Sequence, residues 1–215
     1  MIIKKISCQV HEHKKPLFSR AQEEWKEILP TAGFLGQLGG WSLSDPFTAN
    51  IFAFWEEEAS YESFMNEAHD RIYHNSGQEN TYFSIDTELF QVEQDLLKGM
   101  SGLRSLIQKA RYIRTAFTQV KENRINHFLD MQRNVWNPGM KRAEGMIGGV
   151  VCRSQRDFQS FLIFTGWENH LYHQMYRLHL FPHLKHKAAP QQDVNHLSGE
   201  SFPVEEGWRV VSSEY

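Results

Sequence analysis

Histidines on predicted helices are the residues of this chain best suited to acid–base chemistry. His69 and His179 each lie eight residues after an apolar residue of a predicted helix, Tyr61 and Leu171 respectively. At about 100° per residue, this spacing puts each imidazole about 80° from that residue, at the rim of the buried face. A rim imidazole that faces a cavity can act as a general base, and it can equally hydrogen-bond a carbonyl in a packed core. We predict His69 and His179 as catalytic residues.

Large aromatic residues lie where they could line a pocket beside these histidines. Trp55 and Trp167 end two predicted strands, and Phe64 and Tyr176 lie on the helices that follow them. Trp41 follows a glycine-rich stretch, in which the backbone can approach a ligand closely. We predict that these five residues bind a small apolar or aromatic molecule. The alternative is that all of them pack in the core.

A histidine-rich segment near the end of the chain suggests a different chemistry. The segment His170–His196 holds six histidines, of which His179, His183 and His186 would share one side of a continuous helix. Converging imidazoles can bind Zn, Cu, Ni or Fe. Pro182 is predicted to break that helix, and no Cys or carboxylate lies among the histidines at ligand spacing. We therefore predict no metal ligand in the site and keep a metal-binding protein as an alternative; the sequence identifies no cofactor.

Composition excludes several classes of function. The 215 residues include 23 Lys and Arg against 26 Asp and Glu, a net charge of −3 with no basic tail for nucleic acid. No apolar run approaches the roughly 18 residues of a spanning helix, and no signal peptide is recognisable. Two cysteines make no disulfide framework, whereas 15 Phe, 7 Tyr and 6 Trp indicate an ordered core. We expect a cytoplasmic monomer or homodimer without nucleic-acid or membrane partners.

The two halves of the chain repeat each other. A shift of 112 residues lays Gly33–Glu56 on Gly145–Glu168 without a gap, and a shift of 110 relates the segments that precede them. The shift of 112 recurs near the end of each half. We therefore predict a tandem duplication with a first repeat at residues 1–93, a linker at 94–106 and a second repeat at 107–215. The identical pairs of the gapless segment are Gly33/Gly145, Gly36/Gly148, Ser42/Ser154, Asp45/Asp157, Ile51/Ile163, Phe52/Phe164, Trp55/Trp167 and Glu56/Glu168.

Each half is predicted to fold as β-α-β-β-α-β, the ferredoxin-like unit. Periodicity and turn residues give the first half a strand, a helix stopped by Pro30, two strands, a helix closed near Gly77 and a last strand. The predicted strands of the first half are Ile2–Val10, Gly33–Leu43, Ala49–Trp55 and Ser84–Val92. The elements of the second half are predicted at Ala110–Val120, Glu122–Trp136, Met146–Arg153, Phe161–Trp167, Asn169–Leu180 and Glu200–Val211.

Two central strands predict how the halves combine. Ile51–Trp55 and Phe161–Phe164 are apolar on both alternating faces, whereas a half-exposed antiparallel strand alternates apolar with polar residues. Helices cover only one face of a ferredoxin-like sheet, so the sheet of the other half is expected to cover the second face. The predicted fold class is α+β, with tandem repeats that form an intramolecular dimeric α+β barrel. The alternative is two independent domains, each dimerising with another molecule.

These residues resemble the dimeric α+β barrel superfamily, which includes antibiotic-biosynthesis and haem-degrading monooxygenases. The pattern is a central strand ending in Trp-Glu, followed by a helix with aromatic residues and histidines. It occurs at Trp55-Glu56 with Tyr61, Phe64 and His69, and again at Trp167-Glu168 with Tyr172, Tyr176 and His179. Gly33–Trp41 and Phe64–Asp70 are most similar to the uncharacterised bacterial YdbC-type proteins.

The resemblance implies a monooxygenase-like protein with a pocket between helices and sheet. The haem-degrading branch uses a strand Asn, a helix Trp and a His ten residues after that Trp. In this chain Phe64 and Tyr176 take the Trp position, His74 and His186 match the His, and the first strands hold no Asn. We expect a pocket lined by Phe64, Trp55 and Trp41, with one half active. A non-catalytic ligand-binding or stress-related barrel remains the alternative.

Overall fold

The computed structural model describes residues 1–99 and 102–212, which form two compact units. Unit 1 comprises Met1–Leu89 and the segment that begins at Val204, and unit 2 comprises Phe90–Pro203. The predicted division followed the repeat and placed residues 1–93 in one domain and 107–215 in the other. In the structure, residues 90–93 belong to unit 2, and the segment that begins at Val204 belongs to unit 1. Met100 and Ser101 of the predicted linker lie outside the described residues, and the rest of that linker contributes helix α4, Gly102–Lys109, to unit 2.

Unit 1 is an antiparallel sheet with helices. Its strands lie in the order β4-β1-β3-β2-β9, the ferredoxin-like order with one added edge strand. The strands are β1 (Ile2–Val10), β2 (Phe34–Trp41), β3 (Thr48–Trp55), β4 (Tyr82–Asp95, continuing into unit 2) and β9 (Val210–Val211). The helices are α1 (Lys15–Glu23) with a 3-10 extension (Glu24–Ile28), α2 (Glu58–Glu67) and α3 (His69–Ser76).

Unit 2 repeats this plan in the order β8-β5-β7-β6-β4. Its strands are β5 (Tyr112–Val120), β6 (Met146–Ser154), β7 (Ser160–Trp167) and β8 (Val194–Pro203), with the end of β4 beside β6. Its helices after α4 are α5 (Ile125–Met131), a π-helical turn (Gln132–Trp136), α6 (Asn137–Lys141), α7 (His170–His179) and α8 (Phe181–Ala188). The predicted α+β class with tandem ferredoxin-like repeats is confirmed.

The hairpin between the two central strands explains several of the identical pairs. In unit 1, Asp45 accepts hydrogen bonds from Phe47 N at 3.1 Å and from Thr48 Oγ1 at 2.6 Å. In unit 2, Asp157 accepts from Gln159 N at 3.0 Å and from Ser160 Oγ at 2.7 Å. An aspartate that satisfies the backbone two residues on is a common way to build such a turn.

Glycines with a left-handed backbone directly precede β2 and β6. Gly33 has φ +73° and Gly145 has φ +69°, a conformation that residues with a Cβ adopt at a cost. The carbonyl of each accepts a hydrogen bond of 2.8 Å from the residue after the strand-ending tryptophan, Glu56 or Glu168. The same backbone hydrogen bond therefore extends the pairing of the two central strands in both units.

Three predicted element boundaries were wrong. The helix predicted to end at Trp136 continues through Pro138, because Pro138 lies in the first turn of α6, where no backbone N–H is needed. Pro182 likewise starts α8 rather than ending the helical region. The last predicted strand, Glu200–Val211, is divided by a 3-10 turn at Glu206–Trp208 into β8 and β9.

The π-helical turn explains a change in the repeat shift. Phe18 corresponds to Phe128 at a shift of 110, and Phe34 to Met146 at a shift of 112. A π turn closes its hydrogen bond one residue later than an α turn, so it accommodates one extra residue without breaking the helix. This insertion accounts for one of the two residues by which the shift grows.

The central strands carry the core of each unit. Every residue of β3 is buried, as its two apolar faces predict. In unit 1, Ile2, Phe34, Trp55, Tyr61 and Phe64 belong to one buried cluster. No helix in the described parts of the chain is both long and apolar enough to cross a membrane.

Candidate functional site

A cavity of about 310 Å³ lies in unit 1 between one face of its sheet and its helices. The sheet contributes alternate residues, which point to the same side of a strand. The helices contribute the aromatic rings that close the opposite side. The main lining residues are Lys4, Ile6, Cys8, Ile51, Ala53, Trp55, Thr87, Trp25, Tyr61, Phe64, His69 and Tyr73.

Three of the predicted site residues line this cavity. Trp55 packs against Phe64 with ring centroids 5.1 Å apart, and Phe64 meets His69 edge-on at 5.8 Å. His69 also contacts the indole of Trp25 at 5.6 Å and stacks on Tyr73 at 6.0 Å. The imidazole therefore lies within a ring of aromatic side chains.

A break in the second helical segment positions His69. The dihedral angles of Ala68 (φ −127°, ψ −27°) are not helical, so α2 ends at Glu67 and α3 begins with His69. The His69 side chain is 26% exposed, and its Nδ1 lies 2.9 Å from Asp70 Oδ1. A proton on Nδ1 that donates to this carboxylate leaves the Nε2 lone pair as the basic site of the neutral ring.

Polar groups lie at two places in the cavity wall. Lys4 Nζ donates a hydrogen bond of 2.8 Å to the hydroxyl of Tyr61. At a second place, Gln78 Oε1 accepts from Gln22 Nε2 at 2.8 Å and from Trp25 Nε1 at 3.0 Å. The rest of the lining is mostly apolar, which suits a ligand with a large apolar surface and a few polar atoms.

Burial keeps two further lining groups neutral. Burial raises the pKa of the Cys8 thiol to about 12, so the thiolate needed for nucleophilic attack is absent at neutral pH. Burial, together with a hydrogen bond of 2.8 Å to Tyr73, raises the pKa of Tyr82 well above its usual value. Neither group is a base at neutral pH, which leaves His69 as the lining residue suited to that role.

The structure places Trp41 outside the cavity lining. Its indole packs on Phe18 at 5.6 Å and on Trp208 at 5.1 Å, with Lys15 Nζ 4.1 Å above the ring. These contacts make Trp41 part of the packing around β2 and the segment before β9.

Unit 2 has different side chains at the corresponding positions. Trp167 and Tyr176 are buried and pack together at 5.1 Å, as Trp55 and Phe64 do in unit 1. The residue that corresponds to His69 is Phe181, the first residue of α8, and it packs on Trp136 at 5.5 Å and on Tyr176 at 6.2 Å. An apolar ring thus occupies the place of the imidazole.

The predicted equivalence of His179 with His69 was wrong. It assumed that Leu171 starts the buried stripe of the helix, but Leu171 is 68% exposed, and the buried residues of α7 are His173 and Tyr176. Counted from His173, the position of His69 falls on Phe181. His179 itself is exposed at the end of α7.

The histidine side chains of the segment His170–His196 do not come together at one place. Of its six histidines only His173 is buried, and the other five are exposed. Across residues 1–99 and 102–212, no three His, Cys, Asp or Glu side chains come together in a way that could hold a metal ion. His74 and His186, the positions implied by the haem-degrading branch, are also exposed.

Sequence reasoning missed several lining residues. Lys4 was overlooked because it is a single charge in an apolar strand, although it shares a strand face with Ile6 and Cys8. Trp25 was also missed, although it contacts His69. The alternation along β1 could have identified Lys4, whereas only the fold brings Trp25 to α3.

The two ferredoxin-like units give this chain the same fold as several solved structures. A solved structure described as a "putative monooxygenase" from Lactobacillus acidophilus NCFM superposes with a TM-score of 0.77 at 10% identity, covering 98% of this chain and 95% of that one. A structure described as an anthrone oxidase-like protein gives a TM-score of 0.68 at 13% identity, covering 99% and 93%. At such identities the likeness concerns the fold alone.

Sequence similarity narrows the class to one family. The uncharacterised protein YdbC of Bacillus subtilis (strain 168) is 33% identical over 96 residues, which cover 44% of this chain and 81% of that protein. The family model described as a domain of unknown function, DUF4937, matches residues 2–90. The chain belongs to this YdbC family, and the matched residues contain every residue that lines the cavity.

Proposed function

We propose that the chain is a monooxygenase-like protein that binds a small, flat aromatic molecule in the cavity of unit 1. The observation that carries the proposal is a cavity of about 310 Å³ whose mostly apolar wall includes Trp25, Trp55, Phe64 and the imidazole of His69. A flat aromatic ligand suits such a site, because contacts between aromatic rings stabilise a complex beyond the hydrophobic gain from buried surface area.

The proposed role of His69 is that of a general base. Nε2 takes a proton from an acidic C–H or O–H group of the bound molecule, while Asp70 holds the proton on Nδ1. With O₂ as the oxidant, a CH₂ group of an anthrone-type molecule becomes a carbonyl, and the second oxygen atom leaves as water. Support for this assignment comes from the aromatic surroundings of His69 and from the fold class.

The asymmetry of the two units supports a single site in unit 1. Phe181 replaces the imidazole in unit 2 and packs between Trp136 and Tyr176. The general base is therefore missing at the corresponding position. We propose that unit 2 has a structural role.

The experiment is a titration with anthrone, followed by oxygen uptake with the pure protein. We expect saturable binding and oxygen uptake above the protein-free rate. His69→Phe, which copies unit 2, should lower the uptake at least tenfold, and His179→Ala should leave it unchanged. Binding without oxygen uptake would establish the non-catalytic ligand-binding alternative instead. If neither anthrone nor naphthalene binds, the proposed monooxygenase-like activity and the ligand-binding alternative are both overturned.

A further inference from the structure

The indole N–H of Trp55 is a buried donor with nothing to donate to. Trp55 is 1% exposed, it lines the cavity, and its Nε1 has no hydrogen-bond partner within the described residues. A buried donor left unsatisfied destabilises the fold, so such groups call for an explanation. A ligand that supplies the acceptor is one.

The second unit shows what normally satisfies this N–H. Trp167, the counterpart of Trp55, donates from Nε1 to Thr165 Oγ1 at 3.1 Å. The residue that corresponds to Thr165 is Ala53, which has no hydroxyl and lines the cavity. The threonine hydroxyl that accepts the indole N–H in unit 2 is therefore missing from the corresponding position in unit 1.

A cation, Lys4, lines the same cavity as Trp55. Lys4 is directly opposite Ala53 in the pairing of β1 with β3. Its ammonium group donates to Tyr61, whose ring packs on Trp55 at 5.8 Å. Within residues 1–99 and 102–212, no carboxylate lies at ion-pair distance from Lys4. The cavity wall around Ala53 therefore combines the indole of Trp55, the phenol of Tyr61 and the positive charge of Lys4.

We propose that Trp55 and Lys4 bind an anionic oxygen of the ligand, and that Ala53 determines this specificity by leaving the indole N–H free. The inference rests on the proposed function and names its substrate class: a flat aromatic molecule that carries a phenolate, enolate or carboxylate oxygen. A hydrogen bond and a cation directed at one oxygen favour its charged form. An uncharged hydrocarbon uses the same aromatic walls without these contacts.

The test compares naphthalene, 2-naphthol and 2-naphthoate as ligands, with dissociation constants measured by ¹H–¹⁵N NMR titration. We expect 2-naphthoate to bind the unchanged protein at least tenfold more tightly than naphthalene and to shift the Trp55 indole N–H resonance downfield. Naphthalene should cause no such downfield shift. Tighter binding of 2-naphthol than of 2-naphthoate at pH 9 would identify phenolate or enolate rather than carboxylate as the source of the oxygen.

Two substitutions at one position separate shape from hydrogen bonding. Ala53→Thr introduces a hydroxyl that accepts the indole N–H, as Thr165 does, whereas Ala53→Val has nearly the same shape without a hydroxyl. We expect Ala53→Thr to lose most of the preference for 2-naphthoate over naphthalene and Ala53→Val to retain it. Lys4→Met should also reduce the preference.

The outcomes distinguish this inference from the proposed function. If naphthalene and 2-naphthoate bind equally well and the Trp55 resonance does not respond, the inference is overturned while the cavity remains a binding site for aromatic molecules. If none of the three compounds binds, the proposed function and the inference fail together. The titrations of the unchanged protein decide between these outcomes even if a variant does not fold.

Discussion

His69 and Phe181 hold the same position in the two units, and each ring packs on a tryptophan. Trp25 lies in the 3-10 extension of α1, and Trp136 lies in the π-helical turn after α5. The centroid of His69 lies 5.6 Å from that of Trp25, and Phe181 lies 5.5 Å from Trp136. The duplication thus preserves the aromatic contact while the chemistry differs. A polar ring at this place in unit 1 has a cost in stability that the apolar ring in unit 2 avoids.

Exchanging these two rings should move stability in opposite directions. His69→Phe is expected to raise the free energy of unfolding by about 1 kcal/mol, because a half-buried polar ring becomes apolar among aromatic neighbours. Phe181→His is expected to lower it by a similar amount. Urea denaturation monitored by circular dichroism at pH 8 measures both changes.

The matched control for this pair is His179→Phe, which places the same new ring on an exposed position. Its free energy of unfolding should stay within about 0.5 kcal/mol of the unchanged protein. A loss of stability in His69→Phe would contradict the assignment of His69 as a residue kept for function at the expense of packing.

The hydroxyl of Thr165 should contribute measurably to the free energy of unfolding of unit 2. It accepts from Trp167 Nε1 and donates to the carbonyl of Arg114 at 2.9 Å. Thr165→Val removes both hydrogen bonds at nearly constant shape and should cost about 1–3 kcal/mol, because the buried indole donor loses its partner. Thermal or urea unfolding measures the loss.

Position 53 supplies the comparison for position 165. Ala53→Thr should be more stable than Ala53→Val by about 1 kcal/mol in the absence of ligand, because only threonine satisfies Trp55 Nε1. Equal stabilities of these two variants would mean that the indole edge in unit 1 does not face residue 53.

The repeat predicted the fold well because the spacing of turn residues records topology. The Asp45/Asp157 and Gly33/Gly145 pairs fix the same turns, so a shared shift predicted a shared order of strands. The site was harder to predict, since a cavity depends on which residues face each other across elements. His179 was paired with His69 by counting from Leu171, whose exposure only the fold reveals. The Ala53/Thr165 difference was visible in the sequence, but its meaning came from the hydrogen bond of Trp167.

Unit 2 should lose stability between about pH 6.5 and pH 4 because of His173. Burial, followed by the positive charges of Arg114 and Arg177, lowers the pKa of His173 to about 4. In the unfolded chain the group titrates near 6.5, so the unfolded state binds the proton first as the pH falls. Stability is full above about pH 6.5 and falls by as much as about 3 kcal/mol as the pH drops to about 4.

The variant His173→Tyr tests this assignment, because the corresponding residue of unit 1 is Tyr61. Urea midpoints at pH 7.5 and pH 5 should differ less in this variant than in the unchanged protein. His179→Gln, which changes an exposed histidine at the other end of the same helix, should leave the pH dependence as it is. An undiminished difference in His173→Tyr would assign the acid sensitivity to other groups.

A pair of glycine substitutions separates backbone strain from steric overlap. Gly145 and Gly77 have similar left-handed angles, φ +69° and +66°. A Cβ on Gly77 would meet nothing within 4 Å, whereas a Cβ on Gly145 would lie inside contact distance of the Tyr172 side chain. Gly77→Ala should therefore cost about 1–2 kcal/mol, the price of a left-handed residue with a Cβ.

Gly145→Ala should cost at least about 2 kcal/mol more than Gly77→Ala, because Tyr172 must move as well. The overlap involves the Cβ and Cγ atoms of Tyr172 near the start of its side chain, where a change of rotamer gives little relief. Urea unfolding of the two single variants measures the difference. Gly145→Ala combined with Tyr172→Ala should remove most of it, since the double variant leaves only the backbone strain and the lost packing of Tyr172. A double variant no more stable than Gly145→Ala would mean that overlap with Tyr172 does not account for the extra cost.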